Sequence, residues 1–431
     1  MRTSALLKSI PFIGVVGLAA LAGWQSKHID ETPPRNTTKR LAALKSIFNG
    51  PDIQALESHR TNTPARRKPS TQVLIQDVFP EKAQRPQPSD QTKPSKLFAP
   101  YQQASHGQLI ASSYEALTPK GSTQLTQGSF LNHPEAVEAY IEKKTPQYQR
   151  PETFSDYQAQ ALARAVDEDR LATEAQVQAA LKKHPSMPLV VNQSFTIDPE
   201  QGGLGFLKNL HPLIIRKDAD WRALKKAFPL GVFGKNRQGD AKWYRDVYQH
   251  PDMKAARQRY EQFLKTLPSN VLLVRANGNE GESQNDALST FRLSAGGLDL
   301  SKASNVLAVG AAKDEKESQF PAFQTSKKGV TSFSTRGQYP PDVTADGVFF
   351  LAGQRLNAQE QTAELVTGTS FSTPVVGALA VALWDKNPKL SASEVKKAIV
   401  SHAKATPHAN KIDEGAGRIQ VQATLQSRNT L

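Results

Sequence analysis

Four short stretches of the chain are apolar almost without a break: "TQVLIQDVF" (71–79), "MPLVVNQSF" (187–195), "SNVLLVRANGNEG" (269–281) and "ASNVLAVGAA" (303–312). Runs of this length, apolar on both faces, predict strands buried in a parallel sheet. Between them the period changes. From about 156 to 184, Ala, Leu and Val recur at helical spacing and predict one long helix. Residues 203–266 read as helix-rich and basic, with Trp221, Trp243, Tyr244 and Tyr260 among the charges. A hydroxyl-rich stretch, "VTGTSFSTP", opens a helix of small apolar residues that runs to Leu383, and "SASEVKKAIVSHA" (391–403) predicts another. Helices alternating with such strands define an α/β protein of three layers, a mostly parallel central sheet with helices on both faces. Chemistry in these sheets gathers at the carboxyl ends of the strands. The polar residues Asp77, Ser194 and Asn279 follow apolar runs and fall there.

The polar segments divide the chain. Residues 24–70 are polar and basic, with one weak helix near "TKRLAALKSIF", and predict a linker or short prosegment. The proline-rich stretch 80–97 predicts an exposed loop. At the start, Arg2 and Lys8 precede an apolar run from Ile10 to Gly23 that ends in Ala20-Leu21-Ala22. That is the pattern of a secretory signal. At about 14 residues it is short of the roughly 20 that span a membrane. Residues 1–23 are therefore expected to be a signal peptide, with an uncleaved signal anchor and membrane tether as the second reading. The chain is expected to be exported, in a bacterium: periplasmic, extracellular or anchored with its folded part outside the cytoplasm. The folded domain is expected over 71–431, with 203–266 inserted in it.

Charge and composition then exclude chemistries. The formal net charge is +14, but the basic residues are dispersed, and the densest cluster is Arg66, Arg67 and Lys68. With no zinc-finger spacing and no RNA-binding aromatic signature, a diffuse positive surface is expected and no nucleic-acid partner. The chain has no cysteine. Thiol nucleophiles, thiolate-bound zinc, iron–sulfur clusters and disulfides are thereby out.

One hydroxyl cluster stands out. Thr367, Thr369, Ser370 and Ser372 crowd around Gly368 at a helix start. Capping would explain some of them. An activated Ser370 would give the crowding a reason beyond capping, since a helix N-terminus favours developing negative charge. Such a serine needs a histidine to take its proton, a carboxylate to orient the imidazole, and N–H donors for the oxyanion. The chain supplies Asp77 in "VLIQDVF", His106 in "ASHGQLIASSYEAL" and Asn279 in "RANGNEG".

"GTSFSTP" resembles the Gly-Thr-Ser-x-(Ser/Ala)-x-Pro pattern around the nucleophile of subtilisin-like serine proteases, the subtilases of peptidase family S8. Other segments agree in the family's order: "LVVNQSF", "LLVRANGNEG", "NVLAVGAA", "VTSFSTRGQYPPDVTADG" and "DEGAGRIQVQATL". The resemblance implies the subtilisin-like fold and an endopeptidase acting on protein or peptide substrates. It makes Asp77, His106 and Ser370 the triad and Asn279 the side-chain oxyanion donor. The amino-terminal half departs from the pattern: Val78-Phe79 follows the Asp, and Gln108 follows His106-Gly107. A catalytically degenerate member that binds peptides or partners without cleaving them is the second reading.

The resemblance also implies a pocket for the residue before the scissile bond, bordered by Ser194, Phe195 and Thr196 and by Ala276, Asn277 and Gly278. Thr196 and Asn277 replace smaller residues and imply a narrowed or more polar pocket. Residues 24–70 are short for the folding-assistant prosegment of secreted members. The chemistry requires no cofactor. Structural calcium is frequent in the family, but no Asp-rich loop has calcium-ligand spacing. The insertion at 203–266 is either a helical layer with buried aromatics or a rim of the cleft. A monomer is expected.

Overall fold

The computed structural model describes residues 49–77, 106–129, 134–149, 151–152, 154–195, 244–279, 298–312, 330–331, 333–335, 339–355, 361–407, 409 and 411–427. The amino-terminal apolar run, the helix expected near 38–48, the loop 80–97, Thr196, Trp221 and Trp243 lie outside them.

Six strands form one parallel sheet: β1 (Thr71–Asp77), β2 (Thr123–Ser129), β3 (Leu189–Gln193), β4 (Val271–Ala276), β5 (Val306–Ala312) and β6 (Val343–Asp346). Their order is β2-β1-β3-β4-β5-β6. The order reverses at β1, because β2 is laid on one side of it and β3 on the other. Such a switch point leaves a crevice outside the strand ends, where ligands bind. Asp77 ends β1, and Ser194 stands one residue beyond β3. A separate antiparallel hairpin, β7 (Val348–Arg355) with β8 (Gln361–Thr367), follows β6; the apolar pattern did not announce it.

Alternation along each strand sorts the helices onto two faces. Val73, Ile75, Val190, Leu272, Val274, Leu307 and Val309 pack with α1 (Pro51–Asn62), α2 (His106–Leu117), α6 (Thr369–Lys386) and α7 (Ala392–His402). Their neighbours Leu74, Leu189, Val191, Leu273 and Ala308 pack with α4 (Phe154–Lys183) and α5 (Pro251–Lys265). A short helix, α3 (Glu135–Lys144), packs outside α4 through Val137 and Ile141. α6 is apolar nearly all round, and every residue from Thr369 to Asp385 is buried. A helix of that kind belongs inside a protein. Its contacts reach β3, β4, β5 and β6, so it is the axis of that layer.

One expectation changes. The segment 51–62, expected within a linker, is a helix docked on the core by Ile53 and Leu56. The sequence hides it because its polar positions face partners distant in the chain. Asp346 Oδ2 accepts the N–H groups of Asp52 and Ile53, capping α1 from 293 and 294 residues away. Arg418 pairs with both Asp52 and Asp346. Burial, then repulsion from Asp346, raises the Asp52 carboxyl well above the carboxylate range, against the lowering pull of Arg418. Of 203–266, residues 244–266 are described. Their last part, α5, joins β3 to β4 across the sheet, with Tyr260 buried against α4 and the sheet and Tyr248 buried just ahead of the helix. These two aromatics are core.

Candidate active site

The site is assembled where β1, β3 and β4 end and where α2 and α6 begin. Asp77 is buried at the end of β1. Both of its oxygens lie within hydrogen-bond distance of His106 Nδ1, at 2.8 and 2.9 Å. His106 is the first residue of α2. An imidazole held by Nδ1 leaves Nε2 as its working nitrogen. Burial pushes the imidazole pKa down, while the charge of Asp77 and its hydrogen bond push it up; the net result lies above the ordinary value. The ring meets Phe371 edge-on, at 5.3 Å between centroids. His106 therefore stands against the first turn of α6, where Ser370 is located.

Gly368 is the N-cap of α6, with φ +135 and ψ 158, a conformation that favours glycine. The N-cap residue, a glycine, has no side chain to cap the helix. The hydroxyl crowding is therefore not capping in the usual sense. Asn279 satisfies the first N–H instead: its Oδ1 accepts from Thr369 N and from Thr369 Oγ1, both at 2.9 Å. Two donors on the oxygen fix the amide and turn Nδ2 toward Gly368. A Cβ built on Gly368 would lie 3.3 Å from Asn279 Nδ2 and 3.7 Å from Ser370 N. The glycine leaves that volume open between two N–H donors. Ser370 itself is 9% exposed. Among the described residues, its hydroxyl has no hydrogen-bond partner.

Proline 374 has a role the sequence reading missed. It stands six residues into α6, beyond the first turn. Having no N–H, it cannot donate to the carbonyl four residues earlier, which is that of Ser370. Ser194 makes up the loss: its Oγ donates to Ser370 O at 2.7 Å. Ser194 in turn accepts from Asn192 Nδ2 at 2.7 Å, and Asn192 Oδ1 accepts from Tyr114 O–H at 3.0 Å. Tyr114 fits only because residue 377 is glycine; a Cβ there would lie 1.9 Å from the tyrosine oxygen. This chain of bonds ties α2, which carries His106, to the peptide of Ser370. Sequence reasoning expected small residues such as Gly377 to let this helix pack closely, but missed Tyr114 and Asn192. Asn192 was legible as a polar residue inside a buried strand; Tyr114 was not.

The remaining expected residues fall beside this centre. The Ser194 side chain is turned inward, and Phe195 is half-buried at the end of β3. Ala276 and Asn277 are buried, and Gly278 has φ +109. Asn277 Nδ2 donates to Thr335 O, and Thr335 N donates back to Gly278 O, both at 3.0 Å, so this wall is pinned from outside the sheet. Among the described residues, no group of three or more His, Asp or Glu side chains could hold a metal ion, and no helix is long and apolar enough to cross a membrane.

A model described as the subtilase family matches residues 156–418, more than half of the chain, and the chain belongs to that family. The match begins after Asp77 and His106, so only the contact of His106 with Phe371 relates them to α6. The chain is similar to the subtilisin-like protease SBT3.13 of Arabidopsis thaliana, 38% identical over 89 residues, 19% of this chain and 12% of that protein. It is similar to the membrane-bound transcription factor site-1 protease of Homo sapiens, 25% identical over 168 residues, 38% of this chain and 14% of that protein. The matches thus span about an eighth of the length of these relatives. Among solved structures, MycP1 from the ESX-1 type VII secretion system aligns over 87% of this chain and 84% of its own, with 14% identity and a TM-score of 0.44.

Proposed function

We propose that this chain is an exported serine endopeptidase that cleaves protein or peptide substrates with Asp77, His106 and Ser370. The observation that carries the proposal is the Asn279 amide. Its oxygen is committed to Thr369, and its nitrogen and the Ser370 nitrogen lie 3.3 and 3.7 Å from the position a Cβ on Gly368 would take. A scaffold kept only for binding has no need of two convergent donors.

In the proposed reaction His106 Nε2 takes the proton of Ser370 Oγ as that oxygen attacks the substrate carbonyl. Asp77 holds the imidazole by Nδ1 and stabilises its cationic form. The carbonyl oxygen, now negative, receives N–H bonds from Asn279 Nδ2 and Ser370 N. The proton then passes from His106 to the leaving amine. Water repeats the cycle on the acyl-enzyme. The Ser370–His106 hydrogen bond is formed as substrate seats, as catalytic bonds commonly tighten in the complex. The chemistry requires no cofactor. The apolar segment 10–23 would direct export or tether the chain.

A fluorophosphonate probe tests this. It is expected to label the protein at Ser370 and to leave Ser370→Ala unlabelled, and that variant is expected to lose about a millionfold in peptide turnover. Absence of labelling in the unaltered protein would favour the degenerate, peptide-binding reading.

A further inference from the structure

At one level of the sheet four residues lie side by side: Gly128 of β2, Gln76 of β1, Gln193 of β3 and Arg275 of β4. The last three are buried, on the face of Leu74, Val191 and Leu273, two residues earlier in each strand. A sheet face closed by helices is ordinarily apolar. Here it carries a layer of hydrogen bonds. Gln193 Nε2 donates to Gln76 Oε1 at 2.8 Å, and Arg275 Nη1 donates to Gln193 Oε1 at 2.7 Å. α4 supplies Asp169, Thr173 and Gln176 from one side of the helix. Gln76 Nε2 donates to Gln176 Oε1 at 2.8 Å, Thr173 Oγ1 donates to Gln76 Oε1 at 3.1 Å, and Arg275 Nη1 lies 3.3 Å from Asp169 Oδ2. α5 supplies Tyr260, whose oxygen is 3.0 Å from Arg275 Nη1. Gly128 makes room for the layer, since a Cβ there would lie 2.3 Å from Gln176 Oε1.

Stability does not account for these bonds. Arg275 Nε and Nη2 are buried with no hydrogen-bond partner among the described residues. A buried ion pair is weak evidence for stability, and apolar residues of similar volume often serve as well or better. What a connected polar network adds is a single arrangement of the elements it joins.

The residues that follow the layer belong to the site. Side chains alternate along a strand, so the residue after each layer position turns to the face of α2 and α6. After Gln76 comes Asp77, which holds His106 Nδ1. After Gln193 comes Ser194, which holds Ser370 O. After Arg275 come Ala276, Asn277, Gly278 and Asn279. The layer therefore bonds together the strand ends that carry the carboxylate, the support of the nucleophile and the oxyanion donor.

We propose that Gln76, Gln193 and Arg275 are positioning residues, which lock the ends of β1, β3 and β4 at one level and so fix Asp77, Ser194 and Asn279 relative to one another. The proposal rests on the peptidase reading above. Each of the three acts through the residues that follow it. Catalysis depends steeply on such geometry, and a displacement of about 1 Å costs about a hundredfold.

The test uses two variants of the full chain. Gln76→Leu breaks the β1 link and leaves Arg275 its partners. Gln193→Met breaks both strand links with little change of volume. Each is expected to lower kcat for an internally quenched peptide about ten- to hundredfold, with KM changed less than about threefold. The titration of His106, followed by NMR in the Ser370→Ala background, gives a readout that needs no cleavage. Its midpoint is expected to move down in Gln76→Leu, because Asp77 is held less firmly against the imidazole. Leu189→Val, on the same face at the start of β3, weakens packing without touching the layer. It is expected to lower the melting temperature and to leave kcat and the His106 midpoint unchanged. Normal kcat or an unmoved midpoint in Gln76→Leu overturns the proposal, as do equal losses of kcat in Leu189→Val. If Gln193→Met does not fold, Gln76→Leu decides alone. Failure of the peptidase reading looks different: the unaltered protein takes no fluorophosphonate and cuts no peptide, while the His106 midpoint still responds to Gln76→Leu.

Discussion

Ser194→Ala is the sharpest test of how α6 is held. The substitution removes one oxygen with two partners. Ser370 O loses its donor, and Asn192 Nδ2 loses its acceptor. Neither loss can be repaired locally, because Pro374 has no N–H to offer the carbonyl and Asn192 is 0% exposed. A buried polar group stripped of its partner costs about 1–3 kcal/mol, so the two together should cost about 2–6 kcal/mol. That is a large share of the roughly 5–15 kcal/mol that holds a domain folded. The mechanism is separable from ordinary core damage by a second substitution. Pro374→Ala restores an N–H four residues after the Ser370 carbonyl. In that background Ser194→Ala should leave only Asn192 unsatisfied. Urea unfolding of the four proteins gives the cycle, and a coupling of about 1–2 kcal/mol between positions 194 and 374 is expected. The rate of fluorophosphonate labelling at Ser370 should fall in Ser194→Ala and recover in part in the double variant. Equal costs in the two backgrounds, within about 0.3 kcal/mol, would refute the claim that the serine stands in for the missing amide.

Three further outcomes follow from the geometry. The fold keeps the proton on His106 to higher pH than a free imidazole, and the base must be neutral, so peptide turnover should rise with pH through a midpoint above about 6.5; a midpoint below it contradicts the Asp77 pairing. Gly368→Ala adds a methyl between Asn279 Nδ2 and Ser370 N at φ +135, so turnover should fall at least about a hundredfold while the protein stays folded; near-normal rates would mean the oxyanion sits elsewhere. The raised Asp52 carboxyl means that the fold holds a proton that the unfolded chain releases, so its contribution is complete below the ordinary carboxylate pKa and is lost as pH climbs through the folded value. Melting temperature should therefore drop between pH 6 and pH 9, and less so in Asp52→Asn; identical drops would exclude Asp52 as the source.

Much of the scaffold was present in local pattern. The four apolar runs are β1, β3, β4 and β5, the helix expected at 156–184 is α4, and the helices after Gly368 and Ser391 are α6 and α7. Burial on both faces is written residue by residue, since each strand position must be apolar whichever side it meets. The serine motif was equally local, because a helix start, a glycine and a hydroxyl cluster fall within a few residues of one another. The helix 51–62 was not legible, since its cap, Asp346, is supplied from across the fold. The hairpin β7–β8 left no clear alternation to read.

The sequence alone determined that this is a parallel α/β protein with an activated-serine motif, because periodicity and hydroxyl crowding are properties of neighbouring residues. Only the tertiary structure decided which serine oxygen supports which carbonyl, and that Asn279 turns its nitrogen toward Gly368. Each of those depends on groups from separate strands and helices meeting within about 3 Å, a distance at which hydrogen bonds form or fail, and chain order carries no record of it.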